Sequence, residues 1–476
     1  MSASCHARRL LYLLAAGLLA ACANTRPAPQ VQAAPLPAGW KTSVAAGQGF
    51  WTTASASAAL DAAWWSRYND PLLSRLQVQA EQGNPGLAEA AARLRAAQFA
   101  VGSARAALVP QLGLNAGAAR GNTVVSGPTN SASLGLAASW EVDLWGRVAA
   151  GVDAATANAR ASAGDVAAAR LSLQAAVAQS YFSLRAFEAQ QQLLAAVLAA
   201  YDESRTLTRN RVEAGVAPPS DADQAEAQYQ GTRAQALQAE ASRAQWEHAL
   251  AALVGEAPAN FTLPATATLP RAPVVPLALP AELLQRRPDV AAAQARVAAA
   301  NGQLGVAHSA FFPALTLSAS AGYRANTLAS LISAPNLVWA LGPQLALALF
   351  DGGARTAARE QALANVDAAA ASYRSVVITA LQAVEDALSS GVSLQQQIDA
   401  QRMAVAAAQR ALNVAQNQYK AGLVGYLNVL TAQANLLSGQ RSLIELQRQE
   451  LVAANTLLTH LGGGWVAATT PTEIAR

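Results

Sequence analysis

Ser131-Ala-Ser-Leu-Gly-Leu-Ala-Ala-Ser-Trp-Glu-Val-Asp-Leu144, continuing through Trp145-Gly146-Arg147, is the stretch that decides the fold. Ala132, Leu134, Leu136, Ala138, Trp140, Val142 and Leu144 alternate with Ser131, Ser133, Gly135, Ser139, Glu141 and Asp143. A period of two kept this long is the signature of a strand with one apolar and one small or polar face. Its length suits a strand that crosses a membrane in a barrel. After Gly146 the pattern changes at once. No proline occurs from Gly146 to Gly215, and Ala, Leu, Gln, Arg and Glu dominate. About 70 residues at 1.5 Å each make a helix near 100 Å long, too long for a compact domain. Such a helix must lie beside others, coiled-coil fashion.

Working outward, the same order recurs at a spacing of about 205 residues, which marks duplication of one large unit. Ser103 to Leu114, through Pro110, matches Ala307 to Leu317, through Pro313. Trp140 to Arg147 matches Leu349 to Arg355. Arg211-Val-Glu-Ala-Gly215 matches Gln418-Tyr-Lys-Ala-Gly422. Strands are expected at about 110–120 and 131–144 in the first half and at about 313–324 and 338–351 in the second. Shorter helices are expected at about 72–108, 220–254, 281–310 and 424–461.

Before the repeats lies a targeting segment. Arg8 and Arg9 form a positive start, and Leu10 to Leu19 is an apolar run too short to span a bilayer. It ends at Leu19-Ala-Ala-Cys22, small residues before a cysteine, which resembles a bacterial lipobox. The resemblance implies that Cys22 is the acylated first residue, and Ala23 in place of an aspartate favours the outer membrane. The organisation expected is a leader over 1–21 and a lipid-anchored arm over 22–68, rich in Pro, Ala, Ser and Thr. Repeat one is expected over 69–270, repeat two over 271–461 and a tail over 462–476. Trp51, Trp64 and Trp65 in the arm are read as ordinary packing residues.

Composition narrows the function. Charged residues are 13% of the chain, and the formal charge of +4 falls to +2 once Arg8 and Arg9 leave with the leader. No basic stripe with interleaved aromatics points to nucleic acid. Cys5 and Cys22 are the only cysteines, so the mature chain has neither a disulfide nor a cysteine metal site. His248, His308 and His460 stand apart from one another, without metal-ligand spacing. No nucleophile elbow or phosphate-binding loop occurs, and Gly462-Gly463-Gly464 reads as a helix stop. Neither a catalytic constellation nor a cofactor is expected, which argues against a lipid-anchored hydrolase.

No run of 18 consecutive apolar residues follows the leader, so any spanning part must be a closed β-barrel. Four strands cannot close one, because about eight are the usual minimum. The strands must therefore be shared, and three chains supply twelve, enough for a lumen. The expected fold is mainly α with membrane β: a long helical barrel continuing a twelve-stranded transmembrane barrel formed by a homotrimer. A periplasmic coiled-coil lipoprotein is the alternative, but it would need no amphipathic strands.

Leu283-Leu-Gln-Arg286-Arg287-Pro288-Asp289-Val290, followed by Gly305-Val-Ala-His-Ser-Ala-Phe311-Phe312-Pro313, strongly resembles the TolC-type outer-membrane efflux proteins. Asp70-Pro71-Leu72, Asn84, Tyr181-Phe-Ser-Leu-Arg185, Leu253-Val-Gly255, Leu349-Phe-Asp-Gly-Gly353 and Leu461-Gly-Gly-Gly-Trp465 add to it, so that it covers about residues 50 to 466. The lipobox points to the lipoprotein branch, like OprM and NodT. The resemblance implies a trimer docked onto a periplasmic adaptor and an inner-membrane pump of the resistance-nodulation-division type. It leaves drug or metal efflux and protein secretion both open. Several relatives close the periplasmic end with an inward leucine and an aspartate one turn later. Here Leu427 holds the leucine place, while the acid place falls on Thr431 and a following arginine place on Ala434. Leu427 and Thr431, four apart on one helix face, are thus pore-lining candidates without an ion pair. Asp221 and Asp223, just after Pro218-Pro219-Ser220, are read as helix N-terminal charge with Ser220 or Asp221 as N-cap, and also as a ring of acids at a pore mouth. Gly215 and Gly422 are expected at the hairpin turns of the periplasmic tip.

Cys22 carries the first prediction. Mass spectrometry of the mature N-terminus is expected to find Cys22 acylated, and Cys22→Ala to abolish lipid labelling while the barrel keeps the protein in the membrane. An unmodified Cys22 would remove the anchor.

Overall fold

The computed structural model describes residues 37, 39–41, 51–53, 61–123, 127–266, 268–277 and 286–465. Cys22, the leader, most of the arm and the end of the tail lie outside the described residues. Six strands and seven helices of useful length follow among those described: β1 (Trp51–Thr53), α1 (Pro71–Gly83), α2 (Pro85–Ala106), β2 (Gln111–Thr123), β3 (Gly127–Val142), α3 (Arg147–Glu213), α4 (Pro219–Val254), β4 (Val275–Leu277), α5 (Pro288–Ser309), β5 (Ala314–Ala325), β6 (Leu337–Ala346), α6 (Ala354–Lys420) and α7 (Tyr426–His460). Helix–strand–strand–long helix–helix occurs twice in that order.

α3 and α6 are 67 residues each, about 100 Å long at 1.5 Å per residue. Each begins at a glycine in the left-handed region, Gly146 and Gly353. An aspartate just before that glycine makes the turn from strand to helix. Asp143 accepts from the backbone N–H groups of Val148 (3.0 Å) and Ala149 (2.8 Å), and Asp351 from those of Gly353 (3.0 Å) and Arg355 (3.1 Å). These bonds satisfy helix-terminal donors that would otherwise be orphaned. Arg147 pairs with Glu141, and Arg355 with Asp351, so each joint also carries its own ion pair. The repeated Asp-x-x-Gly-Arg and Asp-Gly-Gly-x-Arg sequences are thus one device used twice.

β2, β3, β5 and β6 form one antiparallel sheet in that order. Leu114 faces Leu136, Leu136 faces Ala321 and Ala321 faces Trp339, while Asn115, Gly135, Gly322 and Val338 align in the next row. Apolar residues therefore gather on one face and small or polar ones on the other. β6 stops at Ala346, five residues short of the 351 expected from sequence. Alternation persists through Leu347 and Leu349, but β5 begins at Ala314, which pairs with Ala346, so no partner backbone remains beyond it. β3 ends at Val142, opposite Leu315, just before Asp143 turns into the start of α3, and it starts at Gly127, opposite Thr123.

The helices show a further departure. The segment expected as one helix over 72–108 is two, because Asn84 ends α1 and caps α2, accepting from Leu87 N–H at 3.0 Å ahead of Pro85. Its amide also donates to Leu253 O at 2.9 Å, tying this break to the end of α4. Of the helix expected over 281–310, Arg286 and the run from Pro288, where α5 begins, are helical, and residues 281–285 lie outside the described residues.

The main core sits where these helices meet β1 and β4. Trp51, Trp64, Trp65 and Tyr68 are buried there with Tyr181, Phe182, Leu388 and Leu458. β1 pairs in parallel with β4, Trp51 facing Val275. The segment between α4 and β4 is held by charges, of which Arg185 and Glu188 are buried and Arg243 and Glu247 half-buried. Arg185 pairs with Glu188 and donates to Pro264 O at 3.0 Å. Arg243 reaches Glu188 at 3.1 Å and Leu263 O at 2.9 Å, and Glu247 accepts from Leu263 N–H at 2.8 Å.

Elsewhere the helices meet through small side chains. A Cβ placed on Gly302 would lie 2.8 Å from both the Cβ and the N of Ala154, and one on Gly164 would lie 2.9 Å from Ala292 Cβ. α3 and α5 therefore approach more closely than larger residues allow. Gly302→Val is expected to push them apart at a cost of about 1–3 kcal/mol. Thermal unfolding of the detergent-solubilised protein checks this, and an unchanged Tm would contradict so close a seam.

Candidate functional site

Two ends of the molecule carry features that packing within one chain does not explain. At the sheet end, Leu112 (71%), Leu114 (69%), Leu341 (67%) and Trp339 (76%) are exposed on the apolar face. Nothing among the described residues covers them. β2 and β6 also each keep one edge without a strand partner. Exposed apolar surface beside unpaired strand edges is costly in water and aggregation-prone, whereas in a bilayer the apolar face is solvated by lipid. Among the described residues no helix is long and apolar enough to cross a membrane.

At the other end two hairpins lie side by side. α3 passes to α4 through Gly215 (φ 73°), and α6 passes to α7 through Gly422 (φ 75°). Val216 N–H donates to Arg211 O and Leu423 N–H to Gln418 O, both at 2.9 Å, while Gly215 and Gly422 donate to Val212 O and Tyr419 O. Both helices thus end in the same glycine-closed motif, which needs the left-handed conformation at that position. Side chains then tie one hairpin to the other. Arg211 donates to Tyr419 O at 3.0 Å and lies over the Tyr419 ring, 4.7 Å from its centre. The Tyr419 and Tyr426 rings meet edge to face at 5.5 Å, and the Tyr426 and Ser204 hydroxyls are 3.3 Å apart. Burial raises the Tyr426 phenol above its ordinary pKa; Ser204 opposes this and the charges of Tyr419 and Asp221 assist it. Arg205 is held by Asp202 (2.6 Å) and Glu226 (2.9 Å).

Leu427 is 61% exposed on this end, and Thr431 is exposed one turn along the same helix. The Thr431 hydroxyl donates to Leu427 O at 2.9 Å, so its own hydrogen bond is satisfied within the helix. Asp221 and Asp223 do not share an environment: Asp221 is buried against the second hairpin and Asp223 is exposed. Neither Ser220 nor Asp221 caps α4. Pro218 occupies the cap without a side-chain bond, because Pro219, which brings no N–H, can open the helix one residue earlier. Sequence reading placed Arg211 and Tyr419 in the matched repeats but gave no role to them or to Ser204 and Tyr426. They lie some 200 positions apart in pairs, and no local spacing announces them.

The Arg-Arg-Pro-Asp block occupies a third place, where α5 begins and α7 ends. Arg287 donates to His460 O at 3.0 Å and contacts His460 Nδ1 at 3.1 Å, while Asp289 accepts from Arg287 at 2.6 and 3.0 Å. Arg286 O approaches Gly462 so closely that a Cβ there would lie 1.9 Å away. The block is a clamp that fixes the end of α7 to the start of α5, and the glycine run lets the chain pass beneath it. Among the described residues no three His, Cys, Asp or Glu side chains are grouped to hold a metal ion.

The outer membrane efflux protein family model matches residues 76–256 and 279–463, one segment for each repeat. The chain belongs to the outer membrane efflux protein family. A Pseudomonas putida protein named as the probable efflux pump outer membrane protein TtgC is 32% identical over 473 residues, covering 97% of each chain. The outer membrane protein OprJ of Pseudomonas aeruginosa is 32% identical over 467 residues, with 95% of each chain covered. Among solved structures, the outer-membrane channel OprN superposes with a TM-score of 0.84 at 29% identity, over 91% of this chain and 98% of that one. VceC of Vibrio cholerae gives 0.78 at 32%, over 85% and 99%. As in this family, the sheet is the outer-membrane part and the helices extend into the periplasm.

The clamp generates a pH prediction. Burial disfavours charged His460 and the Arg287 charge adds to this, so the imidazole titrates below its ordinary range. Burial alone would raise Asp289, but the hydrogen bonds and charge of Arg287 outweigh it and hold the carboxyl low. Both groups bind fewer protons folded than unfolded. Their contribution is whole above the ordinary histidine pKa, about 6.5, and is lost as pH falls through the lowered values. Tm is expected to fall on acidification, and His460→Asn to flatten the part of that fall beginning near 6.5. Identical Tm–pH curves for the two proteins would count against the clamp.

Proposed function

We propose that the chain acts as a homotrimeric exit duct, anchored by lipid at Cys22, through which solutes delivered by an inner-membrane pump and a periplasmic adaptor leave the cell. The observation that carries this is the four-stranded sheet with an uncovered apolar face and two bare edges. Three copies pair β6 of one with β2 of the next and close twelve strands around a lumen wide enough to conduct, whereas two copies would give eight, filled by side chains. The adaptor and a resistance-nodulation-division pump are the partners such a duct requires, because a passive tube supplies no energy. The names of the relatives, which include toluene and antibiotic efflux pump proteins and a pyoverdine export protein, favour small-molecule efflux over protein secretion. We read the chain as performing no chemical step and holding no cofactor.

Closure at rest is assigned to the helix tips, since the barrel is fixed by its hydrogen bonds. The turns at Gly215 and Gly422 bring the hairpins together there, and three copies of Leu427 and Thr431 meet by side-chain packing and hydrogen bonds, without ion pairs. Asp221 and Asp223 contribute negative charge near the same mouth. Native mass spectrometry in detergent is expected to give three chains. In planar bilayers Leu427→Asp is expected to raise conductance severalfold, by repulsion among three like charges, and to sensitise cells to vancomycin. A stable monomer with native strand content defeats the shared barrel. An intact trimer whose conductance Leu427→Asp leaves unchanged moves the gate away from this face.

A further inference from the structure

The four paired strands contain three charged residues: Arg120, Glu141 and Arg324. Glu141 lies at the helix end and is paired with Arg147. Arg120 and Arg324 lie at the opposite end, near the hairpin loops, and register puts them on opposite faces. Arg120 has the parity of Leu112 and Leu114, on the apolar face. Arg324 faces Ser133 across one ladder, and Ser133 faces Gly117 across the next, in the set of rows that holds Gln111, Asn115, Ser139 and Ser318. Arg324 is therefore on the polar face, which lines the lumen when the apolar face meets lipid.

Among the described residues no acid is paired with this charge. The sequence has neither Asp nor Glu from Ala107 to Trp140 or from Ala310 to Phe350, and those segments hold both hairpins with their loops. Arg324 is exposed, and its row neighbours are small: even a Cβ added at Gly117 would meet only Ser133 Oγ, at 3.5 Å. The guanidinium thus has room to extend toward the axis. Resting on the threefold barrel proposed above, we infer that three Arg324 side chains form an anion site at the outer mouth, one that takes multivalent phosphate-type oxyanions.

The physics favours this class of ligand. Rings of arginine select anions in pores, and low-dielectric walls focus their field along the lumen. The planar guanidinium fork matches phosphate oxygens in pairs, which a single bound chloride cannot exploit. Screening confines the effect to the mouth, since the Debye length is about 8 Å at physiological salt, and strengthens it at low salt. Anionic solutes are drawn through the last part of the duct, while cations approaching from outside are repelled.

Calorimetric titration of the full chain in detergent with sodium tripolyphosphate at low ionic strength tests the site. About one anion per trimer is expected, as a single ring on the axis requires. Arg324→Gln is expected to abolish binding, Arg120→Gln to preserve it, and Arg324→Glu to replace it with binding of hexaamminecobalt(III). Native mass spectrometry of the same samples separates the two layers of the argument. A trimer that binds no tripolyphosphate, binds it equally with Arg324→Gln, or loses it with Arg120→Gln overturns the anion site and leaves the shared barrel standing. A sample that is not trimeric overturns the shared barrel, and the ring with it.

Discussion

In hydrocarbon every backbone N–H and C=O of a strand must find its partner in another strand, because no water is there to substitute. β3 and β5 are paired on both sides, while β2 and β6 each leave a row of donors and acceptors open. A single bare edge of ten residues carries several such groups, each costing kilocalories if left in lipid. Closure among copies is the only way a four-stranded unit avoids that cost. The dimensions of the lumen, the threefold arrangement of the helix tips and the existence of a mouth all descend from it.

The helices inherit their placement from the sheet. Four connections leave it at the same end, so α2, α3, α5 and α6 all run away from the membrane on one side. Asp143 and Asp351 make this possible, since each carboxylate satisfies the first helix N–H groups immediately after the last ladder bond. Alanine and glycine then do for helix packing what large apolar residues do in a compact core. The contact of Gly302 with Ala154 brings whole backbones close, and dispersion over many small contacts holds them. Near the middle of the tube the small-residue rule gives way to a core of Trp64, Trp65, Tyr68, Tyr181 and Phe182, where the segment between α4 and β4 is belted on by Arg185, Glu188 and Arg243.

Polarity along the tube is graded. The sheet's polar face is nearly free of charge, the joint carries matched pairs, and the tips hold exposed apolar residues beside a paired arginine cluster. Paired charges at the joints and around Arg205 at the tips keep their geometry rigid. A gate built of Leu427 and Thr431 fits this pattern, since side chains without charge can part at a small energetic cost.

The sequence by itself determined the two periodicities, and with them most of the architecture. Alternation from Ser131 to Leu144 and the proline-free run after Gly146 are local properties of the chain, and local hydrogen bonding converts them directly into strand and helix. The hairpin glycines at 215 and 422 were legible for the same reason: only a residue without a Cβ takes the left-handed turn cheaply. Tertiary structure decided whatever depends on a partner far away in sequence. β6 ends at Ala346 although its apolar alternation continues, because β5 offers no backbone beyond Ala314. The Arg-Arg-Pro-Asp block, conspicuous as a motif, gains its meaning only when His460 and Gly462 arrive beneath it. Ser204 meets Tyr426, and Arg211 meets Tyr419, across more than 200 residues, and Asp221 is separated in environment from Asp223 by which side of α4 the second hairpin covers. Periodicity fixes which way a side chain points from its own backbone; what it meets there is set by packing between segments, which leaves no trace in local spacing.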